Sequence, residues 1–553
     1  MPDTGETRYY DFTISRGTIA PDGVTKSAIL VNDMFPGPLI EANWGDYIEV
    51  NVHNAIEGPE EPTSLHWHGL NMAGNPWMDG IPITTQCPIT PGHNLTYRFR
   101  ADEYGTSWYH SHVAAQYTQG IVGPIVIHGP SEHVAYDDDL GPVLVSDWYH
   151  RDHIQLAAQA LGPADRPDDT RPLAESNLLA GVGRYPCANI TDGRSCVEDP
   201  SYKRWSVESG KTYRMRFVNT GSIAFFRLSL DNHPFTVIAV DFVPVEPFET
   251  DHIYLSVGQR VDVLFTASAD DTQSYWLRAS NSNQGCADTQ ADYDGLGIIA
   301  YSGAPVDAEP QSISNIFAEN QLCDTGDISQ LRPVYPMAVK EPDLVLTFRF
   351  NGAPVPSGGF RLVTNNQTFD SSTLYQQPVL HSVLQGVTSF PPEQHVYTTG
   401  NASIVRLILV GEFQPPHPMH LHGHDFQVLA QGVGEWDGTI TNPENPLRRD
   451  VQQMHSGANI RNSTIGPNYV VIQYEADNPG VWPLHCHFAW HLAAGMVVLL
   501  VERPDDLMAM AGDLPSEILE TCTLYNEWAG QHPWGEEGPG RGQQLVGSNG
   551  TGA

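Results

Sequence analysis

Basic residues are scarce in this chain of 553 amino acids: 28 Lys and Arg stand against 65 Asp and Glu, a formal net charge of −37. That surplus repels nucleic acid and anionic lipid, which excludes polyanionic partners. Long apolar runs are missing too. The stretch Met496 to Val501 is among the longest, far short of the roughly 18 residues that read as a membrane span. The N-terminal Met-Pro-Asp-Thr-Gly-Glu lacks the basic, apolar and small-residue regions of a signal peptide, and Met1 reads as a trimmed start. Helical periodicity is rare. Instead, short runs rich in Val, Ile, Tyr and Phe recur between Gly, Pro, Asn and Asp, among them Tyr47 to Val52, Thr212 to Val218 and Val405 to Val410. This is the pattern of all-β sandwiches and barrels.

The length calls for three or four domains. Breaks fall near His128-Gly-Pro130 and across the Pro- and Asp-containing stretch from Gly303 to Pro342. The expected division is residues 1–130, 131–305, a linker 306–340, 341–512, and a Gly-rich, partly mobile tail 513–553. The seven cysteines are an odd number, which in an oxidising compartment suggests three disulfides and one thiol kept for chemistry. Cys187 and Cys196 bracket a short loop, and Cys286 and Cys323 flank a Gly- and Pro-bearing segment. That leaves Cys87 to pair with Cys522, and Cys486 free inside a histidine cluster. Sequons at Asn94, Asn189, Asn366, Asn401, Asn462 and Asn549 fit a glycosylated, secreted chain.

Ten of the 23 histidines fall into four tight clusters, with His424 beside them. His66-Trp-His68 and His110-Ser-His112 are H-x-H pairs on strand-like segments, where alternate residues share a face and two imidazoles can hold one metal or reach two neighbouring ones. The third cluster is His417-Pro-Met-His420-Leu-His422-Gly-His424, and the fourth His485-Cys486-His487-Phe-Ala-Trp-His491. A thiolate, two imidazoles and a weak axial thioether describe a blue-copper electron-transfer centre, and Cys486, His417, His491 and Met496 supply that set. His485 and His487 must point away from Cys486 and so are placed to bind other coppers. Structural zinc favours four closed ligands, often several thiolates, and fits this single cysteine poorly. His424 reads as a hydrogen-bonded neighbour.

These clusters resemble the four copper-binding signatures of the multicopper oxidases, most closely those of ascomycete laccases. The likeness extends to Val31-Asn-Asp-Met-Phe-Pro-Gly-Pro38, Asp79-Gly with Gln86-Cys-Pro88, Ser146-Asp-Trp-Tyr149, Gly258-Gln-Arg260 and Asn445-Pro-Leu-Arg-Arg-Asp450. It implies three cupredoxin-like Greek-key β-barrels and four copper ions. His66 and His420 would hold the type 2 copper, and His68, His110, His112, His422, His485 and His487 the type 3 pair. His417, Cys486, His491 and Met496 would hold the type 1 copper. The resemblance also implies that Asp79 relays protons beside the type 2 copper.

Three departures stand out. Met496 occupies an axial position where fungal laccases carry Leu or Ile, which predicts a lower potential. Ile223 stands where those laccases place a carboxylate for the phenol proton, unless Asp241 substitutes. The C-terminus lacks the short apolar tail that plugs a solvent channel in ascomycete laccases. The expected function is a laccase-like monomer that couples one-electron oxidation of small phenolic donors to reduction of dioxygen to water, with Cys486, His485, His487 and Asp79 as its catalytic residues. A biosynthetic phenol-coupling oxidase, its apolar pocket lined by Ile223, Phe225 and Phe226, is the alternative. A metal-ion oxidase would need Asp241 or Glu412 near His417 and His491. Copper storage has no use for the Cys486 link.

Overall fold

The computed structural model describes residues 1–130, 134–162, 172–281, 294–305, 308–313, 328–354, 360–412, 417–454 and 467–532. In these residues the strands pair into six sheets, two for each of three successive segments. The alternation read from the sequence is what makes them. Along Tyr47–Ala55 every second residue, including Ile48, Val50 and Val52, is buried while its neighbours are half-buried. One face of the strand therefore packs inward and the other meets a second layer or solvent.

The three units repeat one topology. In the first sheet of each, the opening strand runs parallel to a later one: Thr7–Ile19 with Tyr47–Ala55, Asp138–Trp148 with Thr212–Asn219, and Leu344–Pro354 with Ile404–Gly411. The second sheet repeats the device with Ile40–Asn43 and Val122–His128, Lys203–Val207 and Gly295–Tyr301, and Val396–Gly400 and Val497–Glu502. Parallel pairs need long crossovers, and in an otherwise antiparallel sheet pair these close the unit into a Greek-key barrel. The described part of the linker is not loose. Glu246 N donates to Arg332 O at 2.7 Å and Val334 N to Pro244 O at 2.9 Å, adding an edge to the second unit. Asn445 Nδ2 donates to Pro333 O at 2.7 Å, tying the same segment to the third.

Five helices decorate the barrels among the described residues: α1 (His153–Ala160), α2 (Val379–Leu384), α3 (Ala489–Ala493), α4 (Pro504–Ala509) and α5 (Ser516–Gln531). The last lies within the expected tail, 513–553. Ile518, Thr521 and Tyr525, at helical spacing, bury one face of α5, and Cys522 bonds to Cys87 across a separation of 435 residues. A helix with a buried stripe and a covalent anchor is an ordered element; the Gly-rich stretch that suggested mobility begins beyond it, outside the described residues. Cys187–Cys196 also forms, and Cys486 is free and buried. The Cys286–Cys323 pair falls outside the described residues.

Candidate metal centre

Hydrogen-bonded strand register brings the first two histidine clusters together. His66 lies opposite His110, and His68 N donates to Trp108 O at 3.0 Å. In the third unit His420 lies opposite His485 and Met419 opposite Cys486, while His422 N donates to Pro483 O at 3.0 Å and His487 N to Pro418 O at 2.7 Å. The two sets meet face to face. The ring centroids of His66 and His422 are 4.2 Å apart, and His68 and His420 stack at 4.0 Å with 13° between their planes. Eight imidazoles, four from each unit, thus share one buried space. Ligand atoms converge within 4.8 Å of one another in the sets His66, His68, His420; His68, His110, His487; and His112, His422, His485.

The far nitrogen of six of the eight rings is held from outside, which decides what the near one presents; both nitrogens of His487 are buried without a hydrogen-bond partner. A carbonyl oxygen only accepts, so His66 Nδ1–H donates to Asp79 O at 2.9 Å, His420 Nδ1–H to Asp450 O at 2.8 Å, His110 Nδ1–H to Ser111 O at 2.9 Å and His485 Nδ1–H to Cys486 O at 3.0 Å. His422 Nδ1–H donates to Asp79 Oδ2 at 3.0 Å. His68 is reversed: its Nε2–H donates to Asp450 Oδ1 at 3.1 Å. The inward nitrogens of these six rings are therefore bare lone pairs. His66 Nε2, His68 Nδ1, His110 Nε2, His112 Nε2 and His420 Nε2 are buried without a hydrogen-bond partner, and His422 Nε2 faces His485 Nε2 at 3.0 Å.

Burial first, then the neighbouring imidazoles, pushes His68, His110, His112, His420 and His422 well below the usual histidine range. His485 falls to about 4, with burial the main cause. These six rings are neutral. Buried unsatisfied acceptors at this density carry a desolvation cost that a bound cation removes, and neutral imidazoles are the donors copper takes. The residues fit the metal.

A second group lies one residue away along the same strand. Cys486 Sγ is 3.7 Å from His417 Nδ1 and 3.5 Å from His491 Nδ1, and those two nitrogens are 3.1 Å apart. Burial lowers His491 to about 3 and pushes the Cys486 thiol up. Met496 is wholly buried; its carbonyl accepts Cys486 N at 3.1 Å and its N–H donates to His491 O at 3.0 Å, which holds it beside both.

Asp79 is fully buried, with Oδ1 at 3.1 Å from His66 Nδ1 and Oδ2 at 3.0 Å from His422 Nδ1. It touches a ring from each half of the cluster. A small cavity of about 40 Å³, walled by Ile81, Ile83, Phe369 and Leu492 among others, reaches His112 and His485.

Other expectations need correction. Asp241 does not stand in for the missing carboxylate at Ile223: Arg449 Nε donates to its Oδ2 at 2.9 Å and Arg260 N to its Oδ1 at 2.9 Å, deep between the second and third units. Phe226 is part of the main core and Phe225 stacks on Tyr254 at 5.5 Å, so neither is open to a donor. Glu412 pairs with Arg349 at 3.2 Å on the surface. Ile223 sits on a turn held by Asp147, which accepts Ser222 N at 2.5 Å, Ile223 N at 3.1 Å and Tyr149 Oη–H at 3.0 Å. That turn meets α3, which carries His491, through Ala489 N and Ser222 O at 2.9 Å. His424 donates to Glu502 at 2.8 Å, as a structural neighbour does. Asp147, Arg260 and Asp450 were visible in the sequence only as members of longer motifs. No spacing marked them as supports of the site.

Three stretches of the chain, residues 13–132, 139–304 and 361–506, match multicopper oxidase family models. The chain is 37% identical over 536 residues to the oxidoreductase OpS5 of Beauveria bassiana, covering 95% of this chain and 86% of that protein. It is 36% identical over 527 residues to dihydrogeodin oxidase of Aspergillus terreus, covering 90% and 83%. The crystal structure of laccase from Botrytis aclada superposes with a TM-score of 0.87 at 32% identity, covering 98% of this chain and 95% of that one.

Proposed function

The chain belongs to the multicopper oxidase family, and from that premise we propose how its residues share the work. It is a laccase-like, copper-dependent oxidoreductase with oxygen as acceptor, and its cofactor is four copper ions. His417, Cys486, His491 and Met496 would hold the type 1 copper; His66 and His420 would hold the type 2 copper; His68, His110, His487, His112, His422 and His485 would hold the type 3 pair. Bound copper supplies one-electron uptake at the first site and four-electron reduction of dioxygen to water at the cluster.

The observation that carries this reading is the strand ending His485-Cys486-His487. Cys486 faces His417 and His491, while its neighbours face the eight-imidazole space. Single peptide links thus join the residues of the two sites. Asp79 holds His66 and His422 in place, and its Oδ1 and Oδ2 are the carboxylate atoms from which protons reach that space. The cavity beside His112 and His485 is the approach for a small neutral molecule.

The donor is a small phenol. A biosynthetic phenol-coupling role is favoured by the likeness to dihydrogeodin oxidase and by Ile223, which offers no proton acceptor at the turn beside α3. The four described sequon residues, Asn94, Asn189, Asn366 and Asn401, are all exposed, which supports a glycosylated, secreted protein together with the two disulfides among the described residues. No helix of the described residues is long and apolar enough to cross a membrane.

Oxygen uptake by the copper-loaded protein, with its visible spectrum, tests the proposal against a simple phenol, a bulky polycyclic phenol and ferrous ion. Blue colour with uptake on the simple phenol supports the laccase-like reading. Preference for the bulky phenol supports the coupling role, and preference for ferrous ion overturns both.

A further inference from the structure

The second unit donates none of the proposed ligands, yet its turn Gly258-Gln259-Arg260 reaches the cluster. Gly258 has φ +85°, and a Cβ there would lie 2.9 Å from His487 Cδ2 and 3.2 Å from His68 Cε1. Only glycine lets the backbone lie against both rings in this conformation. Gln259 Nε2 donates to Val451 O at 3.0 Å, clamping the turn to the third unit.

Arg260 is completely buried. It donates Nη1–H to Asp450 Oδ1 at 2.6 Å and Nη2–H to Asp450 Oδ2 at 2.5 Å, with Nε–H to Thr106 O at 3.1 Å. The planar fork matches both carboxylate oxygens at once, which an ammonium group does not. Space for the pair is kept open by Gly69, where a Cβ would fall 2.5 Å from Asp450 Oδ2 and 2.6 Å from Arg260 Nη2. Asp450 in turn accepts His68 Nε2–H. Among the cluster rings whose anchors are given above, His68 is the one held by Nε2, so it alone turns Nδ1 inward.

We infer that Arg260 is a positioning residue: by locking Asp450 in one rotamer it fixes the reversed orientation of His68, so that the ligand-free second unit sets the geometry of the type 3 pair. The inference rests on His68 being a type 3 ligand. Without the fork, Asp450 is free to turn, His68 Nε2 loses its acceptor, and the ring is no longer obliged to present Nδ1.

The experiment uses the full chain loaded with copper, in the variants Arg260→Lys, Asp450→Asn, their combination, and His68→Ala, followed by copper content, visible absorbance and electron paramagnetic resonance. For Arg260→Lys the expected result is unchanged blue colour and unchanged anaerobic bleaching by a donor, but additional EPR-visible copper as the type 3 pair uncouples. Oxygen turnover should fall about 10- to 100-fold, the usual cost of losing an outer-sphere partner. Asp450→Asn should give the same signature, and the double variant no more than either alone. Unchanged EPR-visible copper in both single variants overturns the inference, as does simple addition of their effects. If His68→Ala retains the coupled pair, the ligand assignment itself falls.

Discussion

At the scale of single residues, three side chains carry separable consequences. Met496→Leu removes the soft axial donor beside Cys486 and should raise the type 1 potential, measured by redox titration of the blue band; an unchanged potential shows that Met496 is only packing. Asp79→Asn keeps the shape of the side chain but removes the carboxylate that serves both His66 and His422. Oxygen turnover should drop about 10- to 100-fold with anaerobic bleaching of the blue band unchanged, and equal slowing of both would place Asp79 elsewhere in the cycle. The imidazoles themselves were legible before any fold was known, because H-x-H on a strand is a local pattern. Arg260, Asp450 and Asp147 were not. The meaning of each comes from residues 190, 382 and 75 positions away, respectively, and no periodicity records such a contact.

At the scale of elements, strands were well marked and the last helix was not. Alternating burial along Tyr47–Ala55 is the signal that sequence reading detects, whereas α5 offers only Ile518, Thr521 and Tyr525 before a Gly-rich end that dominates the local composition. Its anchor, the Cys87–Cys522 bond, closes a loop of 435 residues. The joint change Cys87→Ser and Cys522→Ser should lower stability by about 2–5 kcal/mol and make α5 the first segment to exchange its amide hydrogens. Unaltered protection of α5 would mean that Tyr525 packing alone suffices.

At the scale of the molecule, charge and domain contacts govern the response to pH. Glu61 of the first unit receives Gln116 Nε2–H at 3.0 Å and pairs with His153 of α1 at 3.1 Å, with Arg16 and Asp152 also facing the pair. Burial opposes charge on both partners, but their mutual attraction prevails: His153 is raised above the usual histidine range and Glu61 lowered below the carboxylate range. A raised histidine stabilises fully below its unfolded value and loses that contribution as pH rises through its folded one. The lowered Glu61 stabilises above its unfolded value and loses its contribution as pH falls through its folded one. The melting-temperature difference between the native chain and His153→Gln should therefore be largest in mildly acidic solution and shrink as the medium turns alkaline. A difference independent of pH would refute the pairing. The three-unit organisation was readable from strand density and two composition breaks. The way the units interlock was not, because side chains far apart in the chain make the contacts.

The cluster draws four rings from residues 66–112 and four from residues 420–487. A ribosome must therefore have made the chain as far as residue 487 before the second half of the site exists. Until then the growing chain displays an incomplete set of imidazoles, so filling of the cluster is an event of the folded protein and depends on the copper available where folding is completed.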